Sequence, residues 1–107
     1  MLGEYKFENK TDNDKNPTGG WVKGVGLDIK WQDGPLGKGD DRKAPNGAFV
    51  ETVLDACMKR IQFYQDSKFA CEENRMAIIK IKEALFWLDS RTKRRTKEGT
   101  EGAHEGT

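Results

Sequence analysis

Five of the seven residues in Arg91-Thr92-Lys93-Arg94-Arg95-Thr96-Lys97 are basic and none is acidic. Arg91 and Arg95 stand four apart, which puts them on one face of a helix. Two guanidinium forks aimed the same way suit phosphate or pyrophosphate, each group taking paired hydrogen bonds. Composition alone favours a plainer reading, a solvated helix C-terminus whose cations complement the helix dipole. Upstream, Phe63, Tyr64 and Phe69 cluster where a first helix should end, and Asn74 stands where a second should begin. An aromatic plane, an amide and an arginine pair would together recognise a base plus phosphates, by stacking, edge hydrogen bonding and charge. The plain alternative for the aromatics is core packing. Within one chain Asn74 and Arg91 would lie about 25 Å apart at helical rise. A second copy packed antiparallel would bring Asn74 and an aromatic of one chain to Arg91 and Arg95 of the other.

Other chemistry has weaker footing. Asp12-Asn13-Asp14-Lys15-Asn16 begins like a calcium loop, but Pro17 replaces the required glycine and Lys23 the closing glutamate. The single histidine, His104, has no His or Cys near it, which argues against zinc. The glycines of GGWVKGVG precede no helix with a Lys-Ser or Lys-Thr start, so they do not form a phosphate loop. Cys57 falls on an apolar stripe and reads as a small core residue. Cys71 sits near a helix N-terminus, but no base accompanies it in sequence. No catalytic residue, metal or cofactor is expected.

The elements that must carry the arginines, the amide and the aromatics follow from glycine and proline. Nine of twelve glycines and all three prolines lie at or before Gly47, and none lies between Ala48 and Glu98. A run of that kind marks a helical half. A first helix is expected over about Ala48–Asp66, with Val50, Leu54, Cys57, Ile61 and Tyr64 as its stripe. A second is expected over Glu72–Lys97, with Ile78, Ile81, Leu85 and Leu88 in the seam and Asn74, Thr92 and Arg95 continuing it. The short connection Ser67–Cys71 makes them an antiparallel hairpin. The first half is strand-like: Leu2–Phe7 alternates weakly, Trp21-Val22-Lys23 follows, and Leu27, Ile29 and Trp31 share one face of Gly26–Gln32. Asn9–Gly20 and Leu36–Pro45 are expected as loops. The fold class is α+β, a small N-terminal antiparallel sheet followed by a long helical hairpin. It is read as one domain: sheet and loops over 1–47, hairpin over 48–98, and an irregular tail, Gly99–Thr107.

The chain has 107 residues, 35% hydrophobic and 35% charged, with a net charge of 19 − 18 = +1. So polar a chain buries little surface alone, and a core shared among copies is expected. Neutral balance argues against whole-surface nucleic-acid binding. No stretch approaches the apolar length of a membrane span, and the N-terminus lacks an apolar signal core. Two cysteines are too few for a disulfide framework, which points to an intracellular chain with reduced thiols.

The run Lys68–Thr107 resembles the first described family of Thoeris anti-defence proteins of phages. The similarity rests on Cys71-Glu72-Glu73-Asn74, on Ala84–Leu88, on Arg91-Thr92 with Arg94-Arg95, and on the Gly99–His104 tail. Upstream, Ile29-Lys30-Trp31-Gln32 leading into Asp33-Gly34-Pro35, and Asn46-Gly47, extend it to roughly residues 27–107. Residues 1–26 are unmatched. The resemblance implies a sponge rather than an enzyme. It would sequester glycocyclic ADP-ribose, the signal of the bacterial Thoeris system, without degrading it, in the cytoplasm of the infected host. It implies dimers building hexamers, with the ligand between two subunits. Cyclic dinucleotides or trinucleotides, the signals of CBASS defence, would be taken at other positions by some members. By the same resemblance, Arg91 and Arg95 with Thr92 between them form the pocket's arginine end, and Asn74 is its amide. Tyr64 is its stacking aromatic in ungapped register, or Phe63 if the loop carries a gap. Arg42 and Lys43 are basic loop candidates for a second site. The reading from composition alone is an oligomeric helical module that grips nucleic acid or serves as a structural interaction surface.

Overall fold

Alternating apolar and polar residues in the first half produce a three-stranded antiparallel sheet in the order β1-β2-β3: β1 (Tyr5–Thr11), β2 (Pro17–Gly24) and β3 (Leu27–Lys30). The computed structural model describes residues 2–98. Phe7, Val22 and Ile29 lie in register across the strands, as do Tyr5, Gly24 and Leu27, so one sheet face is apolar. The other carries Lys6, Lys23 and Asp28 in one row and Glu8, Trp21 and Lys30 in the next. A two-residue link joins β2 to β3, and Gly26 supplies the left-handed backbone it needs, at φ 71°.

Asn9–Gly20, expected as a loop, is strand at both ends. The ladder uses backbone groups, which a polar sequence supplies as well as an apolar one. Only residues 12–16 turn. There the Asp12 carboxylate accepts the backbone N–H groups of Asp14 (2.9 Å) and Asn16 (3.0 Å). Leu36–Pro45 holds one short 3₁₀ turn, Gly39–Asp41.

Beyond β3 the chain returns to the sheet. The Ala48 N–H donates to the Lys30 carbonyl (2.7 Å), and the Gln32 N–H donates to the Ala48 carbonyl (2.9 Å). The Gln32 side chain is buried: its amide donates to the Gly34 carbonyl at 3.2 Å, and its oxygen accepts from the Asn46 N–H at 2.9 Å. Asn46 clasps Asp33 in turn, accepting from its N–H (2.8 Å) and donating to its carbonyl (3.0 Å). Gly47 lies where a Cβ would stand 2.5 Å from the Trp31 carbonyl carbon and oxygen.

Two helices follow, α1 (Val50–Gln65) and α2 (Glu72–Lys97). α1 starts two residues later than the pattern suggests, because Ala48 is held in the bridge to Trp31. The chain divides into two compact units, one made of the segment to Phe49 with the segment from Arg95, the other of Val50–Arg94. Within the second, the helices run antiparallel. Gln65 and Cys71 exchange two hydrogen bonds of 3.0 Å at one end, and Glu51 meets Arg91 at the other. The half-buried face of α1 is Glu51, Leu54, Met58, Ile61 and Gln65. That stripe is turned by about one position from the expected one, so Cys57 is exposed rather than a core residue. On α2 the seam is as the spacing requires, with Ile78 buried and Ile81, Leu85 and Leu88 partly covered.

Candidate functional site

α2 places its polar residues in line with its apolar seam. Asn74, Arg91, Thr92 and Arg95 are all partly covered, whereas Lys93, Arg94 and Lys97 face solvent. The helix is continuous from Glu72 to Lys97 because no Gly or Pro interrupts it and because its charges suit its dipole. At its start, Arg75 Nε donates to Glu72 at 2.8 Å. That hydrogen bond, with the arginine's charge, holds the Glu72 carboxyl below its ordinary value and raises Arg75.

Arg91 is the most constrained of the basic residues. Its side chain keeps 29% of its exposure, and its terminal nitrogen lies 3.9 Å from a Glu51 carboxylate oxygen, at the outer limit of an ion pair. Its Nε is buried with no hydrogen-bond partner. An N–H shielded in this way is costly unless something accepts from it. Lys93 differs: it pairs with Asp89 at 3.0 Å in open solvent. The Thr92 hydroxyl donates to the Leu88 carbonyl at 3.2 Å, a bond along its own helix.

The aromatic end is built on the last turns of α1. Phe63 is 60% and Tyr64 40% exposed, with ring centroids 6.0 Å apart. Both rings therefore offer surface instead of filling a core. Arg60, which sequence reasoning missed, lies over both. The only signal for it is its i+3 and i+4 spacing to the rings. Asn74 opens α2 nearby in sequence and donates to the Phe69 carbonyl at 3.4 Å. Tyr64, Phe63 and Asn74 thus gather at the turn of the hairpin, while Arg91, Thr92 and Arg95 gather near the far end of α2, about 25 Å from Asn74 at helical rise. One chain does not bring the two groups together. Arg42 and Lys43 lie in the loop after β3 and are exposed. His104 and the Gly99–His104 motif fall outside the described residues. Among the described residues no group of His, Cys, Asp and Glu is placed to hold a metal ion. No described helix is long and apolar enough to cross a membrane.

The profile of the Acb2/Tad1 hairpin domain matches residues 23–93. This chain belongs to that family. The match takes in β3, α1 and most of α2, including Phe63, Tyr64, Asn74, Arg91 and Thr92, and stops just before Arg95. Thoeris anti-defense 1 of Bacillus phage SBSphiJ7 is 40% identical over 77 residues, covering 72% of this chain and 51% of that protein. The chain therefore spans about half the length of the relative it matches.

Proposed function

We propose that this hairpin-domain protein is a phage anti-Thoeris sponge, which captures a cyclic ADP-ribose isomer (glycocyclic ADP-ribose) and holds it intact. The observation that carries the reading is the hairpin-domain match over residues 23–93, the segment that holds the aromatic pair, Asn74 and Arg91, together with the 40% identity to a Thoeris anti-defence relative. The chemistry agrees with it. Exposed rings can stack on a base, an amide can read its edge, and the arginines can take the pyrophosphate. Capture without turnover needs no general base or metal, so the protein is read as a binding protein and not an enzyme.

The site is completed by a second copy. In this arrangement Tyr64 or Phe63 and Asn74 of one copy face Arg91, Thr92 and Arg95 of the other, with the two α2 helices antiparallel. Met76, Ile79, Phe86 and Trp87 on α2 are exposed in the single chain, the last two at 62% and 63%. An apolar face of that kind on a polar chain favours self-association. Dimers of this kind building a hexamer, acting in the cytoplasm of the infected host, complete the reading. Cyclic dinucleotides or trinucleotides would occupy separate positions, with Arg42 and Lys43 as candidates.

Capture and release test it. Purified protein is loaded with glycocyclic ADP-ribose, freed of unbound ligand and heat-denatured, and the supernatant is analysed by chromatography. Unaltered ligand, recovered in proportion to protein, is the expected result. A cleaved product would mean an enzyme. Ligand that never associates would remove this signal and leave the nucleic-acid or structural module.

A further inference from the structure

Arg60 lies one turn before the aromatic pair on exposed α1 surface. Its guanidinium carbon is 5.0 Å from the Phe63 ring centroid and 4.9 Å from that of Tyr64. The rings incline at 58° to each other, and the one cation lies within cation–π distance of both. Its Nε–H donates to the Tyr64 hydroxyl at 3.1 Å. That bond also supplies the partner that a tyrosine needs and a phenylalanine would not. An exposed arginine on a helix can pair with a carboxylate three or four residues away. Here those neighbours are Ala56, Cys57, Phe63 and Tyr64, and Arg60 forms no ion pair among the described residues. An arginine has five N–H donors. One is fixed on Tyr64, and the four on the terminal amino groups remain beside an exposed aromatic surface.

We propose that Arg60 is a further ligand-binding residue: anchored on Tyr64 through Nε, it offers its terminal amino groups to a phosphate of the nucleotide whose base stacks on the aromatic pair. This rests on the nucleotide-binding reading above. It adds a third guanidinium to the site, from the chain that supplies the ring and not from the one that supplies Arg91 and Arg95. Steering by three arginines from two sides favours a ligand that joins an aromatic base to a pyrophosphate over a free base or a free phosphate.

Titration calorimetry with glycocyclic ADP-ribose at two salt concentrations tests it, on the wild type, Arg60→Ala, Arg60→Gln, Arg60→Lys and Tyr64→Phe, with circular dichroism confirming the fold of each. Loss of a charge-assisted phosphate contact weakens binding by about tenfold or more. Arg60→Ala and Arg60→Gln are expected to show that loss and a flatter salt dependence. Arg60→Lys should keep the salt dependence and regain only part of the affinity, because an ammonium lacks the fork. Tyr64→Phe removes the hydroxyl that holds Nε, so it should weaken binding by less than Arg60→Ala and keep the salt dependence. Wild-type affinity in Arg60→Gln overturns the proposal, and so does weakened binding with wild-type salt dependence, which would make Arg60 a support for the rings. A wild type that takes up no ligand overturns the underlying reading and this one with it. Should Arg60→Ala lose helicity, Arg60→Gln and Arg60→Lys decide.

Discussion

Arg91 keeps an Nε–H shielded from water without an acceptor. Such a group costs about 1–3 kcal/mol, which the single chain does not recover from its loose contact with Glu51. A residue kept for binding should therefore be dispensable for folding. Arg91→Met retains the apolar stem and removes the stranded donor. Its unliganded melting temperature is expected to equal or exceed that of the wild type. Its affinity for the nucleotide signal is expected to fall by about 2–5 kcal/mol, the usual cost of removing one member of a desolvated charge pair. Thermal denaturation and calorimetry on the same preparation check both halves. A destabilised variant with wild-type affinity would make Arg91 a structural residue. Lys93 is the matched control. It is solvated and paired with Asp89, so Lys93→Ala should change affinity by no more than about twofold.

At the scale of elements, the join between β3 and α1 depends on a glycine. A Cβ on residue 47 would stand 2.5 Å from the Trp31 carbonyl oxygen and 2.7 Å from the Gln32 nitrogen. Both are backbone atoms, so Gly47→Ala must push the clasp apart. A loss of about 1–3 kcal/mol in denaturant unfolding is expected, and an unchanged midpoint would show that the clasp is slack. At the start of α2, folding lowers the Glu72 pKa from its ordinary 4.5. The unfolded chain then binds the proton more readily. The pair's contribution is complete above about the ordinary carboxylate value and is lost as pH falls through the folded one. Glu72→Gln should remove that part of the acid limb of the helicity titration, a small effect because the pair is exposed. α2 was legible in the sequence to both ends, since charge at its first and last turns and an uninterrupted periodic seam all agree. The start of α1 was not, because Ala48 is captured by strand hydrogen bonds that periodicity cannot register. The outer halves of β1 and β2 were hidden for the same reason, polar residues sharing a backbone ladder. The candidate residues of the site were legible as types at spacings. Arg60 was not, since nothing in a helix pattern distinguishes an arginine that covers rings from one that faces water.

The whole molecule has more apolar surface than its units cover, and in the proposed assembly a second copy lies on it. Phe86→Asp and Trp87→Asp together should lower the molar mass measured by light scattering during gel filtration, and with it the ligand capacity. Retention of both would separate binding from association through this face. If the sheet and the hairpin act as one domain, heat unfolding followed by tryptophan fluorescence and by helicity should coincide in one transition. The central claim is that the site is completed across two copies, and mixing tests it most directly. Arg91→Ala/Arg95→Ala and Tyr64→Ala/Asn74→Ala chains are each expected to bind no ligand. Co-expressed, they should recover about a quarter of the wild-type ligand sites, because half of the dimers are mixed and each mixed dimer keeps one intact site of two. Mixed dimers verified by mass that still bind nothing, or either variant alone binding as the wild type does, would contradict it.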